Sequence, residues 1–214
     1  NHMTIRLGVI GAGKIVQVRH LPEAKQNPHT EIMAVCDAVE SRALEMAKEY
    51  QCYAFTDYKE MLKDPAIDAV VVAATNATHA VMTIDTLNAG KHVLCEKPMA
   101  ITLDDAQKMI DAAERNNKQL MIGHNQRLEI GHKKAKEIIQ SGKLGKVLTF
   151  NTTFGHPGSE DWAVEGKKTW FYRKAVAGLG VLGDLAIHKL DLVRWLLDDD
   201  YIQDGLVRAD FNFV

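Results

Sequence analysis

Little in this chain points to a charged or extended partner. Its 214 residues hold 26 Lys and Arg against 28 Asp and Glu, a formal net charge of −2. That balance gives no electrostatic case for nucleic acid or an anionic membrane surface. No apolar run approaches the ~20 residues of a membrane span. No signal peptide is legible, because the first apolar run, residues 5–10, is short and leads straight into glycines. Cysteine is scarce. Cys36, Cys52 and Cys95 form an odd set with no CxxC motif, which fits reduced, buried thiols in a cytoplasmic protein rather than a disulfide framework. No His/Cys/Asp cluster has metal-ligand spacing, and neither HExxH nor G-x-S-x-G occurs, so no metal site is expected. Internal repeats and low-complexity segments are absent. Asn1-His2-Met3 is read as an appended remnant and set aside.

What is present is a soluble globular composition of a size for one large or two modest domains. Strand and helix patterns alternate through residues 4–124. Strands are expected at 5–10, 31–37, 53–55, 69–74, 92–95 and 120–123. Helices are expected at 14–26, 39–50, 58–63, 78–88 and 103–116. In the second helix Leu44, Met46 and Ala47 are expected on the inner face, and Thr102 is expected to cap the last. This alternation predicts an α/β fold with a doubly wound parallel sheet. The pattern changes over residues 125–214, where a helix at 132–141, a strand at 146–154, an aromatic and glycine-rich loop, an amphipathic helix at 184–197 and a strand at 206–214 are expected. Two strands alone do not make a stable sheet. Residues 125–214 therefore read as the start of a second domain that is incomplete by itself, its missing strands lying either beyond residue 214 or in another chain.

Four constellations carry chemistry. In the first, strand 5–10 runs into Gly11, Gly13, Lys14 and Ile15, the strand–glycine turn–helix order of a dinucleotide-binding fingerprint. Gly11 permits the tight turn and Gly13 lets the backbone approach a pyrophosphate. The helix start offers N–H groups and partial positive charge. Alone, the motif also fits a plain tight turn. The third fingerprint position is Val16, bulkier than the usual Gly or Ala, and is expected to hold helix and strand slightly apart. Asp37, 21 residues after Val16, suits a ribose 2′-OH and favours NAD. Arg42 suits the 2′-phosphate of NADP, and Asp37 also suits a helix cap. The second is Thr75, Asn76 and His79 after the central strand, which face a ligand or cap the next helix. The third is Glu96-Lys97-Pro98, which places an ammonium at a strand end or makes a surface ion pair. In the fourth, Asp184 and His188 are four residues apart on one helix face. They make an acid–base pair, or a helix cap beside a core histidine.

Taken together, VIGAGKIV with Asp37, TNATH at 75–79, GKHVLCEKP at 90–98, SGKLGKV at 141–147 and GDLAIHKLDLVRWLL at 183–197 resemble the Gfo/Idh/MocA family of NAD(P)-dependent oxidoreductases. The resemblance implies a Rossmann domain followed by an α+β domain whose open sheet carries a homo-oligomer interface. It implies a small sugar or cyclitol substrate and NAD, with NADP as the alternative cofactor. It assigns Lys97, Asp184 and His188 to catalysis, with His188 taking the hydroxyl proton. It sets Asn76, His79 and Glu96 at the nicotinamide and ribose, and Arg127 near the cofactor. Thr75 stands where many members have Pro. Two rival functions share the fold: a non-catalytic NAD(P)-binding regulator and a redox-neutral, NAD-dependent glycosidase. Trp162, Trp170, Phe171 and Tyr172 either stack on a sugar ring or simply pack. His156 either contacts substrate or is solvated, and Lys133, Lys134 and Lys136 read as a solvated helix face.

Overall fold

A computed structural model describes residues 4–198. These fall into two compact units, residues 4–124 with 155–187, and residues 125–154 with 188–198. The expected strand at 206–214 lies outside the described residues.

The first unit is built on six parallel strands: β1 (Ile5–Ile10), β2 (Thr30–Cys36), β3 (Tyr53–Phe55), β4 (Ala69–Val72), β5 (His92–Cys95) and β6 (Leu120–Ile122). Their order is β3-β2-β1-β4-β5-β6, the doubly wound arrangement, which reverses direction between β1 and β4. The central strands β1 and β4 are apolar apart from Arg6 because both faces are covered. Side chains alternate between the faces. Val70 and Val72 join Ile10, Cys36, Met61, Leu87 and Met109 on one side, while Val71 joins Val9, Val16, Leu21 and Val35 on the other. Fully buried side chains such as Leu21, Met61, Leu87 and Met109 each contribute about 1.5–3 kcal/mol of hydrophobic stabilisation.

The helices follow the expected order, with informative differences. The helical stretch after the glycines opens with a π-helical turn, Val16–His20, before α1 (Leu21–Gln26). Val16 is fully buried at its start, and the wider turn makes room for a side chain larger than the fingerprint prefers. Along α2 (Glu40–Tyr50) the inner face is Ala43, Met46 and Ala47. Leu44, expected inside, is exposed, because it lies a third of a turn off the stripe those three residues define. Next come α3 (Tyr58–Leu62), α4 (His79–Asn88) and α5 (Leu103–Arg115). Thr102 caps α5 as expected, its Oγ1 accepting from the Asp105 N–H at 3.1 Å.

Register fixes where the chemistry can sit. Cys36 pairs with Ile10, Ile10 with Val72 and Val72 with Cys95. The residues that follow, Asp37, Gly11, Ala73 and Glu96, therefore emerge side by side along the carboxyl edge. Cys36 and Cys95 are buried in the core, where burial pushes both thiols up to about 12, and Cys52 is half-buried.

In the second unit α6 (Ile130–Gln140) has Lys136 bonded to the Trp195 carbonyl and, at 2.5 Å, to Asp198. Lys136 is therefore not part of a solvated face. The expected strand at 146–154 does not form. A strand is held by ladder bonds, and no described strand lies beside this segment to supply them. Residues 155–183, expected as a loop, contain the short helices α7 (Ser159–Trp162) and α8 (Lys174–Ala177). Asp184 falls in a second π-helical turn, Leu182–Ala186, ahead of α9 (Ile187–Leu197). Leu192 and Leu196 of α9 are buried, while Leu190 is half exposed, so the expected apolar face of this helix is narrower than the sequence suggests.

Candidate cofactor and active site

The glycine turn has the geometry its sequence predicts. Gly11 adopts φ +98°, and a Cβ there would lie 2.3 Å from the Ala73 carbonyl oxygen. No other residue fits both the dihedral and the contact with β4. A Cβ on Gly13 would meet nothing within 4 Å, so the turn is open on that side. The N–H groups at the helix start beyond it, from Gly13 through Lys14 and Ile15, have no acceptor within the helix. These are features that suit a pyrophosphate, and the residues present fit a bound dinucleotide.

Asp37 braces this turn. Its Oδ2 accepts from the Ala12 N–H at 2.8 Å and its Oδ1 from the Val39 N–H at 2.8 Å. The same carboxylate approaches Arg42 Nη2 at 3.3 Å. The bond to the Val39 N–H closes a turn ahead of α2, whose N-cap is Val39 with no side-chain cap, so Asp37 is not the helix cap that was the alternative.

After β4, a 3₁₀ turn over Asn76–Thr78 precedes α4, and no side chain caps it. The Asn76 amide is buried and donates to the Ala177 carbonyl at 2.9 Å. His79 is 1% exposed, and its ring nitrogens lie 2.8 Å from the Pro98 carbonyl and 3.1 Å from that of Ala74. Burial pushes its pKa down, and the two carbonyls only partly offset this. His79 therefore sits as a buried strut between two loops of the carboxyl edge.

The Glu96–Lys97 surface pair does not form. Glu96 Oε1 bonds His20 Nε2 at 2.8 Å, and its Oε2 accepts the Lys97 N–H at 3.1 Å. Burial pushes the Glu96 carboxyl up, but His20 and Lys97 outweigh it and hold the group below the usual range. Lys97 Nζ instead donates to Asp184 Oδ1 at 2.9 Å and to the Asp184 carbonyl at 2.8 Å. Both side chains of that pair are more than four-fifths buried. Asp184 is therefore no helix cap. His156 Nδ1 accepts from the Gly158 N–H at 3.2 Å, which leaves the proton on Nε2, 3.4 Å from Asp184 Oδ2.

Residues 155–187 cross the carboxyl edge of the sheet. Glu165 bonds Arg42 beyond β2 at 2.5 Å, Ala177 accepts from Asn76 beyond β4, and Asp184 meets Lys97 beyond β5. The Trp170 and Phe171 rings stack on each other with centroids 4.0 Å apart, and the Tyr172 hydroxyl donates to Glu160. Three of these partners, His20, Glu160 and Glu165, carry no signal in the sequence. Only the position of His20, just past the glycine turn, could have marked it.

Arg127 and His188 belong to the second unit. Arg127 forms a forked pair with Asp191, Nε to Oδ2 at 2.7 Å and Nη2 to Oδ1, so its guanidinium is already engaged. The His188 ring meets Phe154 edge-on, with centroids 5.5 Å apart. Among the described residues no cluster of His, Cys, Asp or Glu could hold a metal ion. No described helix is long and apolar enough to cross a membrane.

Sheet order, glycine turn and the acid after β2 define a dinucleotide-binding α/β protein. The sequence model of an oxidoreductase family with an NAD-binding Rossmann fold matches residues 5–124, and a GFO/IDH/MocA C-terminal domain matches residues 132–204. The chain belongs to the Gfo/Idh/MocA family, and its first unit contains the family's NAD-binding domain. It is similar to an inositol 2-dehydrogenase of Salmonella paratyphi B, 32% identical over 93% of this chain and 56% of the relative. It is also similar to a 1,5-anhydro-D-fructose reductase of Ensifer adhaerens, 30% identical over 91% of this chain and 57% of the relative. The structure of an aldose-aldose oxidoreductase from Caulobacter crescentus superposes with a TM-score of 0.78 and 27% identity, over 91% of this chain and 58% of that one. The chain thus spans about half the length of the curated relatives it matches.

Proposed function

We propose that the protein transfers a hydride between NAD(P) and a hydroxyl, or the matching ketone, of a sugar or cyclitol. The observation that carries this reading is the buried Lys97–Asp184 pair at the carboxyl edge of the sheet, where open α/β sheets bind ligands. NAD(P) supplies the hydride acceptor or donor. Gly11, Gly13, Lys14 and Ile15 hold the pyrophosphate with backbone N–H groups, and Asp37 holds the ribose. Thr75, Asn76, His79 and Glu96 shape the floor beyond β4 and β5, with His79 and Glu96 acting through the groups they brace. Asp184 fixes the Lys97 ammonium, which faces the substrate oxygen and stabilises the negative charge that grows there. His188 moves the hydroxyl proton, a role suited to an imidazole near neutral pH. Arg127 is proposed as a cofactor contact on the resemblance alone, and its guanidinium is paired with Asp191.

The names of the relatives, a cyclitol dehydrogenase and a sugar reductase, support that substrate class. The free thiols suit a reducing compartment such as the cytoplasm. Exposed Leu128, Ile130, Leu144 and Leu148 in the second unit offer apolar surface that an oligomer-forming sheet would cover. The test is a screen of sugars and cyclitols for lasting NADH absorbance at neutral pH. Lasting NADH supports the proposal. Glycoside cleavage without NADH points to a redox-neutral glycosidase. Tight NAD binding with no turnover points to a regulator.

A further inference from the structure

The corner beyond β2 holds more charge than one ribose-binding carboxylate. Arg42 lies between two acids, with Nη2 3.3 Å from Asp37 Oδ1 and Nη1 2.5 Å from Glu165 Oε1. Asp37 in turn is fixed to the backbone of the glycine turn by the Ala12 N–H. Glu165 reaches this corner from 123 residues further along the chain. Burial pushes the Glu165 carboxyl up, and Arg42 outweighs it, so the acid is ionised at neutral pH.

The chemistry of the two cofactors differs at this corner alone. A ribose 2′-OH needs an acceptor, which Asp37 provides. A 2′-phosphate needs a guanidinium, ideally engaged through two parallel N–H bonds. Arg42 is the residue placed to give them, yet its Nη1 is bonded to Glu165 and its Nη2 lies against Asp37. The triad of two acids and one base carries a net negative charge, which repels a phosphate dianion. A phosphate would have to compete with Glu165 for Arg42.

We propose that Glu165 determines cofactor choice: by holding Arg42 it withholds the guanidinium from a 2′-phosphate and makes the corner select NAD over NADP. This rests on the reading that the dinucleotide binds along the glycine turn. Asp37 alone would disfavour NADP by repulsion, whereas Glu165 also engages the guanidinium that lies against Asp37.

The experiment is equilibrium titration of the protein with NAD and with NADP, following fluorescence, for wild type, Glu165→Gln and the double variant Glu165→Gln/Arg42→Gln. Glu165→Gln should tighten NADP binding about tenfold while NAD affinity changes less than about threefold. The double variant should lose the gain. An unchanged NADP-to-NAD ratio in folded Glu165→Gln overturns the assignment, as does a gain that survives in the double variant. Glu165→Ser, read the same way, serves if Glu165→Gln does not fold. Wild-type protein that binds neither nucleotide removes the reading of the glycine turn, and the proposal with it. Wild-type binding of NAD with no effect of Glu165 removes the proposal alone.

Discussion

The sheet of the first unit carries an ion pair at each end, and the two are built differently. At the amino edge Arg6 grips Asp68 with Nε at 2.9 Å and Nη2 at 2.8 Å, and the Arg6 N–H adds a third bond at 2.9 Å. Three Arg6 donors converge on one carboxylate, and both side chains are about two-fifths exposed. At the carboxyl edge Lys97 and Asp184 are less than one-fifth exposed. Their bonding is also looser, because among the described residues Asp184 Oδ2 has the long contact to His156. A tightly bonded, wet pair fastens β1 to the segment before β4. A buried pair with looser bonding, at the end where ligands bind, is equipped to act on something else. The chemistry of the side chains does not separate these roles; burial and tightness of bonding do.

The largest effect should therefore come from the carboxyl edge. Under the proposed function, Lys97→Ala is expected to lower turnover about 10²–10⁴-fold while the NAD dissociation constant moves little. Steady-state rates and NAD titration on the same preparation check this. Equal losses in both would make Lys97 a binding residue and weaken the contrast with Arg6. Next comes Gly11→Ala. The substitution sets a Cβ against the Ala73 carbonyl at a left-handed φ, so a loss of about 2–4 kcal/mol of stability is expected, since strain alone costs of order 1–3 and the close contact adds to it. Gly13→Ala, with open space around it, should leave urea stability nearly unchanged while weakening NAD. Equal stability losses at both glycines would show that only packing matters at this turn.

These contrasts also mark how far the sequence was legible. The strands and the doubly wound class were readable because the central strands are short, largely apolar runs followed by turns, and periodicity records burial directly; the strand order came from the structure. Lys97 and Asp184 were readable as candidates because each sits in a dense local motif. Their meeting, 87 residues apart in the chain, came only through the family resemblance. The partners of Glu96 and Arg42 were not readable. His20 and Glu165 are single polar residues whose roles come from tertiary contacts, and no local spacing encodes those. The strand expected at 146–154 shows the opposite failure: its β-branched composition is genuine, but composition cannot supply a neighbouring strand.

Between the extremes lies Lys91, at the amino edge just before β5. It is 4% exposed, and its ammonium donates to the Asp64 carbonyl at 2.7 Å and the Ile67 carbonyl at 2.9 Å. Lys91→Met keeps the apolar stem but leaves both carbonyls without their donor. A loss of about 1–3 kcal/mol in urea unfolding is expected, with no change in cofactor preference. A change in that preference would mean that the amino edge communicates with the carboxyl edge and that the two are not independent.

The smallest effect should come from Asp68→Asn. The Arg6 hydrogen bonds, first by side chain and then by backbone, lower the Asp68 carboxyl from 3.8 to about 2. A carboxylate with a depressed folded pKa stabilises the fold above its unfolded value, and this contribution disappears as pH falls through the folded one. The contribution is therefore complete above about pH 4 and is lost toward pH 2. Water screens a pair this exposed, so the variant should lower the urea midpoint by roughly a few tenths molar at pH 7. That gap should shrink in high salt and close as the pH approaches 2. A gap that persists at pH 2 would mean that Asp68 acts through shape rather than charge. A gap at pH 7 as large as that of Gly11→Ala would overturn the ranking of the two edges.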